Sequence, residues 1–228
     1  MLVKKVLTEV AGLQNPVENL FVLELRSTEK PFKFLPGQFL HLALDPYDPS
    51  TGWPESRCFS IQAQNAPDRI VLSFSVRGQF TSRMASEIRV GKNIWVKLPY
   101  GSLFQDPDKA SQCVFIAGGT GITPFLSLIT DRSFGSYKTP KLYAGFRSKK
   151  FNLYDDYLAR GKAINHEFGY EIKYEDKDGM HDISKILNEH GSGALYFLSG
   201  PPQMIKKFRA FLEKSGTVRG NIRTDDWE

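Results

Sequence analysis

A small antiparallel barrel followed by a doubly wound parallel sheet is the fold this sequence predicts, and three observations carry the prediction. Up to Phe104, short strand candidates are punctuated by turn residues. After Gln105, strand and helix candidates alternate. Between Cys113 and Ile129, CVFIAGGTGITPFLSLI joins an apolar run, a glycine turn and a second apolar run of helical spacing.

In the first half the predicted strands are Leu2 to Val10, Leu20 to Arg26, Gln38 to Leu44, Cys58 to Ala63, Ile70 to Val76 and Ile94 to Leu98, making a six-stranded barrel. Pro36-Gly37, Asp45-Pro46, Ala66-Pro67-Asp68, Val90-Gly91-Lys92 and Pro99-Tyr100-Gly101 supply the turns. Thr81 to Ile88 reads as one short helix capped by Thr81 or Ser82. Asp106-Pro107-Asp108-Lys109 reads as a polar linker, so the domains are expected at 1–106 and 107–228.

In the second half the strands fall at Cys113 to Ala117, Lys141 to Gly145, Tyr170 to Tyr174 and Ala194 to Leu198. The helices fall near Pro124 to Thr130, Leu153 to Arg160, Ile183 to His190 and Pro202 to Lys214. Cys113 to Ala117 are apolar without alternation, as a strand buried on both faces requires. Gly118, Gly119 and Gly121 then permit a sharp turn and close approach to a ligand, with Thr123 as helix cap and Pro124 at the first helical position. Gly119 and Gly121 match the start of G-x-G-x-x-G, but Pro124 stands in place of the third glycine, and Phe146-Arg147 stand where an acid would close the next strand.

The 228 residues carry 30 Lys and Arg against 25 Asp and Glu, a net charge of +5, too mild for a nucleic-acid protein but suited to steering an acidic protein or a phosphorylated ligand. Cys58 and Cys113 are far apart, which excludes a disulfide framework, a metal spacing and a four-cysteine iron–sulfur motif and suits a reducing cytoplasm. No run is long enough to span a bilayer, and the start, MLVKKVLTEVAGL, lacks a signal core, so a cytoplasmic protein is expected.

Three further stretches surround the glycine loop with chemistry. Arg57-Cys58-Phe59-Ser60 offers a guanidinium for a phosphate, a ring for a flat cofactor and a hydroxyl on alternating sides of a strand. Gly78-Gln79-Phe80-Thr81-Ser82 leads into a helix N-terminus, a second anion cradle. Ser199-Gly200-Pro201-Pro202-Gln203-Met204 is another strand-to-helix turn at the carboxyl end of a parallel strand. Each is also explained by ordinary strands and capped helices.

In their order these stretches resemble the ferredoxin-NADP reductase family over nearly the whole chain. Pro36-Gly37-Gln38-Phe39 looks like the family's lead into its flavin barrel, Arg57 to Ser60 like R-x-Y-S with Phe for Tyr, and Gly78 to Ser82 like the flavin-diphosphate turn. Pro99-Tyr100-Gly101 looks like P-x-G, Gly118 to Pro124 like the nicotinamide-dinucleotide loop, Ser199 to Met204 like C-G-P-x-x-M, and Ile222 to Trp227 like the terminal strand with its acid and aromatic. The resemblance implies FAD, in preference to FMN, bound by Arg57, Cys58, Phe59, Ser60, Ser75, Val76, Gly78, Phe80, Thr81 and Ser82. It implies NADH or NADPH as co-substrate, met by Gly118, Gly119, Thr120, Gly121, Arg147, Gly200, Pro201 and Met204. Ser60, Ser199, Asp225 and Trp227 take the catalytic positions, with Trp227 over the flavin face as a gate that swings aside or, alternatively, as strand packing.

Phe59 lacks the family's phenol and Ser199 replaces its cysteine, while Tyr174-Glu175-Asp176 stand in place of residues that read a 2′-phosphate and suit a ribose hydroxyl, against the pull of Arg147, Lys149 and Lys150. With no iron–sulfur motif, the electrons go to a separate acceptor, an acidic electron-carrier protein or a small molecule. The alternatives are a free flavin or ferric reductase and a slow flavin-binding redox sensor.

Overall fold

The computed structural model describes residues 2–105 and 111–225. The chain forms two compact units, Met1–Ser102 and Leu103–Glu228. The predicted linker at 106–109, with Asp226 and Trp227, lies outside the described residues.

Unit 1 is an antiparallel sheet of β1 (Lys4–Val17), β2 (Leu20–Ser27), β3 (Phe39–Ala43), β4 (Ser56–Ser60), β5 (Ala63–Ala66), β6 (Arg69–Ser75) and β7 (Asn93–Tyr100), in the order β4-β3-β7-β1-β2-β6-β5. The two ends of that order are consecutive in the chain. β4 pairs with β3 and β5 with β6, and between them Ile61 N–H donates to Gln38 and Gln62 N–H to Val71. One bent stretch therefore joins the two ends of the sheet, and it splits the predicted strand Cys58 to Ala63 into β4 and β5, so seven strands stand where the sequence predicts six.

β1 runs seven residues beyond its predicted end at Val10. The β1–β2 register shifts between Val10 and Gly12 and again between Gln14 and Val17, where irregularities accommodate Gly12 and Pro16 within the strand. The interior holds Val10, Leu23, Leu40, Leu42, Leu72 and Val96, all 0% exposed. Helix α1 (Gln79–Glu87) plugs it with Phe80 and Met84.

Unit 2 is a parallel sheet of β8 (Cys113–Gly118), β9 (Lys141–Phe146), β10 (Gly169–Tyr174), β11 (Leu195–Ser199) and β12 (Ile222–Thr224), ordered β10-β9-β8-β11-β12. Helices α2 (Thr123–Ile129) and α3 (Asp155–Ile164) share one buried cluster with Phe115 and Ala117. Helices α5 (Ile183–His190) and α6 (Pro202–Lys214) share another with Val114 and Ile116. Successive β8 side chains alternate between these clusters, which is why the strand is apolar throughout. Helix α4 (Glu175–Asp178) follows β10.

Two imidazoles, of His181 and His190, lie edge-on to Tyr143 of the second cluster. His181 Nε2–H donates to the Ala144 carbonyl at 3.1 Å, and His190 Nε2 lies 2.7 Å from the Tyr143 hydroxyl, while His190 Nδ1 has no partner among the described residues. Burial pushes both imidazoles below their ordinary value, against the raising influence of the Ala144 carbonyl and Glu171 at His181 and of Glu189 at His190. Above about pH 6.5 both states are neutral and stability is complete. Below it the unfolded chain binds protons that the native one resists, so stability falls as pH drops from 6.5 through the folded values. A melting temperature that declines between pH 7 and pH 5, with a shallower decline in His190→Asn, is expected; identical slopes would assign the loss to other groups.

Candidate functional site

The barrel carries one candidate site, built where β4 meets α1. Register with β3 sets Arg57 opposite Leu42 and Phe59 opposite Leu40, so both point to the inner side, while Cys58 and Ser60 pair with His41 and Phe39 on the outer side. Strand alternation thus brings Arg57 and Phe59 together and sends Ser60 the other way. Phe59 is half-buried, edge-on to Phe74 at 6.2 Å. Arg57 is exposed, with its guanidinium 5.1 Å from the centroid of Phe80, and it is held by Glu55 at 2.9 Å and the Ser56 carbonyl. Ser75 and Val76 close β6 beside this end, Val76 N–H donating to Asn19.

Helix α1 starts at Gln79, two residues before its predicted start. Thr81 is therefore inside the first turn: its hydroxyl accepts from the N–H groups of Arg77 and Gly78 at 2.9 and 3.2 Å and is not a cap in the predicted sense. The first intrahelical bond runs from Ser82 N–H to Gly78, which leaves the N–H groups of Gln79, Phe80 and Thr81 without helical acceptors. Gly78 is extended, and a Cβ there would meet nothing within 4 Å. Phe80 offers only its backbone, since its ring belongs to the core. An exposed guanidinium, three N–H groups and open space above Gly78 fit a phosphate-bearing group.

Arg83 fixes α1 in place, a role the sequence reading missed. It donates to both carboxylate oxygens of Asp45, at 2.8 and 3.3 Å, and through Nε to Glu87 at 2.8 Å. The Arg83 hydrogen bond holds the Asp45 carboxyl below the usual carboxylate range. The four-residue spacing of Arg83 and Glu87 was a legible signal; Asp45, 38 residues away, was not.

Unit 2 carries a candidate site of its own where its strand order reverses, at the carboxyl ends of β8 and β11. Here the glycines do something other than expected. A Cβ on Gly121 would lie 2.5 Å from Gly200 Cα, Gly200 N and Ser199 C. A Cβ on Gly118 would lie 2.7 Å from Pro201 and 3.0 Å from the Met204 sulfur, and one on Gly200, at φ +150°, would lie 2.9 Å from Gly118 N. These three let two loops pack backbone on backbone. Gly119, at φ +56°, takes a left-handed turn with open space about it, and Thr120 stands beside it.

Thr123 is not the cap that the sequence suggests. A 3-10 turn, Gly119–Ile122, comes first, and the Thr123 hydroxyl donates to the Thr120 carbonyl at 2.9 Å, within the first turn of α2. At the end of β11, Ser199 is 2% exposed and donates to Oδ2 of Asp225, 8% exposed, at 3.1 Å. Asp225 N–H in turn donates to the Leu198 carbonyl. Two of the four predicted catalytic residues are therefore hydrogen-bonded to each other; Trp227 lies outside the described residues. Further along the same edge, the Arg147 carbonyl accepts from Asp176 N–H at 3.2 Å, and Arg147 and Lys150 flank the Phe151 ring at 5.8 and 5.4 Å. Glu175 and Asp176 are exposed there.

No family model matches the chain. It is 26% identical over 244 residues to the reductase component of propane 2-monooxygenase from Rhodococcus jostii (strain RHA1), covering 98% of this chain and 64% of that protein. It is 34% identical over 128 residues to a probable dihydroorotate dehydrogenase B (NAD(+)) electron transfer subunit of Methanopyrus kandleri, covering 56% of this chain and 44% of that one. The chain thus spans less than two thirds of either relative. A ferredoxin NADP+ reductase from Neisseria gonorrhoeae, solved with bound FAD and NADP, superposes with a TM-score of 0.79 at 18% identity, covering 97% of this chain and 98% of that one. Among the described residues no helix is long and apolar enough to cross a membrane. The chain is thus similar in sequence, along nearly its whole length, to a reductase component, and its antiparallel and parallel sheets share the fold of a ferredoxin NADP+ reductase.

Proposed function

We propose that the chain is an NAD(P)H-dependent flavoprotein reductase: residues 1–106 hold FAD, residues 107–228 take NADH or NADPH, and the electrons leave to a separate acceptor such as a ferredoxin, a flavodoxin or another redox partner. The observation that carries the reading is the pair of loops packed through Gly118, Gly121 and Gly200 at the switch point of the parallel sheet, where open α/β sheets take their ligands. The names of the relatives, a reductase component and an electron transfer subunit, support it.

Bound flavin would supply hydride acceptance from a reduced nicotinamide and release of electrons one at a time. Arg57 and the N–H groups of Gln79, Phe80 and Thr81 bind its diphosphate, Phe59 flanks its ring by stacking alone, and Cys58, Ser60, Ser75, Val76, Gly78 and Ser82 complete that side. Gly119 and Thr120 present backbone N–H groups to the coenzyme diphosphate, with Pro201 and Met204 as the wall and Arg147 toward the ribose. Ser199 holds the Asp225 carboxylate in one orientation, which fixes an acceptor where the nicotinamide is proposed to bind. The cytoplasm is the proposed location, supported by two cysteines that form no disulfide. Yellow protein with flavin at a near-equal ratio, oxidising NADH with ferricyanide, is the expected result. Colourless protein without turnover would end the reading, and turnover only with added flavin would turn it into a free flavin reductase.

NADH is proposed as the better coenzyme because Glu175 and Asp176 suit a ribose hydroxyl and repel a phosphate. Replacing them with Ser and Arg removes the repulsion and adds a cation, so kcat/KM for NADPH is expected to rise about tenfold relative to NADH. An unchanged ratio would show that this loop does not read the ribose.

A further inference from the structure

The loop that carries Glu175 and Asp176 is held at its far end by one buried side chain that the reductase reading leaves unused. Between the end of β10 and His181, residues 175–180 are all exposed. The near end of this segment is tied to backbone: Asp176 N–H donates to the Arg147 carbonyl at 3.2 Å, and Tyr174 N–H donates to Oδ2 of Asp178 at 3.0 Å. Gly179 then turns the chain at φ +70°, and Met180, 73% exposed, leaves its apolar side chain in solvent.

His181 is where the segment turns back into the fold, with 6% of its side chain exposed. Its ring stands edge-on to Tyr143 at 5.5 Å, and a Cβ on Gly145 would lie 3.7 Å from its Cδ2, so the imidazole lies along β9. Nε2–H donates to the Ala144 carbonyl at 3.1 Å. Nδ1 lies 3.7 Å from Oε1 of Glu171, which is also 3.8 Å from Lys173 Nζ. Burial pushes the imidazole below its ordinary value, so at neutral pH the Glu171 contact is no ion pair and the bond to Ala144 is the directional one. One residue further, Asp182 caps α5 by accepting from Ser184 N–H at 2.9 Å. A loop fixed at both ends has few conformations. Released at one end it samples many, and a ligand that needs one of them must order the loop first.

We propose that His181 is a positioning residue for the coenzyme: its hydrogen bond to the Ala144 carbonyl holds the loop 175–182 in the conformation in which Glu175 and Asp176 receive the ribose. The inference rests on the reductase reading and on the ribose assignment, and it adds what fixes that loop. His181 takes no part in hydride transfer. Its effect therefore falls on KM and on the choice between NADH and NADPH, and leaves kcat unchanged.

The test compares His181→Gln, whose amide nitrogen reaches as far as Nε2, with His181→Asn, which is too short to reach the carbonyl. His190→Asn is the control, a second imidazole edge-on to Tyr143 at the other end of α5. Flavin-loaded full-length protein is assayed with ferricyanide against NADH, NADPH and reduced nicotinamide mononucleotide, which carries the same hydride and lacks the adenosine half. His181→Asn is expected to raise KM for NADH about tenfold at unchanged kcat and to lose most of the preference for NADH, with mononucleotide kinetics intact. His181→Gln restores the wild-type KM. His190→Asn keeps both KM values. Equal NADH kinetics in wild type and His181→Asn, an equal loss in His181→Gln or in His190→Asn, or a parallel loss with the mononucleotide makes His181 a structural residue and overturns the proposal. If replacing Glu175 and Asp176 leaves the NADPH to NADH ratio unchanged, the ribose assignment falls and this proposal with it, while the reductase reading stands. A wild type that oxidises no NADH removes all three.

Discussion

Gly121→Ala is expected to remove coenzyme-dependent turnover while the barrel keeps its flavin. The new Cβ would sit 2.5 Å from three backbone atoms of Ser199 and Gly200, and backbone cannot swing away as a flexible side chain does. Overpacking of this kind costs about 3 kcal/mol. In a unit of this size that lowers the melting temperature by roughly 10 °C. Gly119→Ala is the informative contrast, because its Cβ meets open space and only the positive φ is penalised, by about 1 kcal/mol. Thermal unfolding of both variants, with flavin absorbance and NADH oxidation, checks this. Equal effects at the two positions would mean that the loops do not press together as described.

Arg57→Ala should weaken flavin binding by about 2–3 kcal/mol, the usual cost of removing one partner of a charge-assisted pair. Without flavin, Arg57 rests on Glu55 at 2.9 Å, and about half of each side chain is exposed. Such a pair adds little to stability. The variant should therefore melt near the wild type when both are stripped of flavin, and its deficit should appear only in flavin titrations. Glu55→Gln should do the reverse, freeing the guanidinium and tightening flavin binding. Full flavin occupancy of Arg57→Ala after dialysis would remove Arg57 from the phosphate site.

What could be read from the sequence, and what could not, divides along physical lines. The alternation of β8 between two helical layers was visible because burial on both faces leaves no polar position from Cys113 to Ala117. Helices α5 and α6 were visible because their apolar residues keep one face. The extension of β1 was hidden, because the irregularities that keep Gly12 and Pro16 within the strand show only in its pairing with β2. The glycine loops were recognised, but their reason was not: nothing local says that Gly121 faces another backbone 79 positions on rather than a ligand. The hydrogen bond from Ser199 to Asp225 and the fork of Arg83 onto Asp45 join residues 26 and 38 positions apart, contacts that propensity and periodicity do not reach. Helix starts at Gln79 and Thr123 were displaced for a related reason, since both threonine hydroxyls turn back onto backbone groups just before their helices and cap no helix in the predicted manner.

The strand order of the barrel also dictates when it can be completed. β3 and β4, β1 and β2, and β5 and β6 are neighbours in sequence and pair as local hairpins, but only β7 touches both β3 and β1. It is the last strand of the barrel to leave the ribosome. Until residues 93–100 emerge, a nascent chain holds two incomplete half-sheets with open edges, β4-β3 and β1-β2-β6-β5, joined at the bend through Ile61 and Gln62. Closure is then a single long-range event, in which one eight-residue strand inserts between partners whose sequence separations differ widely. That places the slow step of barrel formation at the end of its synthesis, when all the other hairpins are already available to receive it.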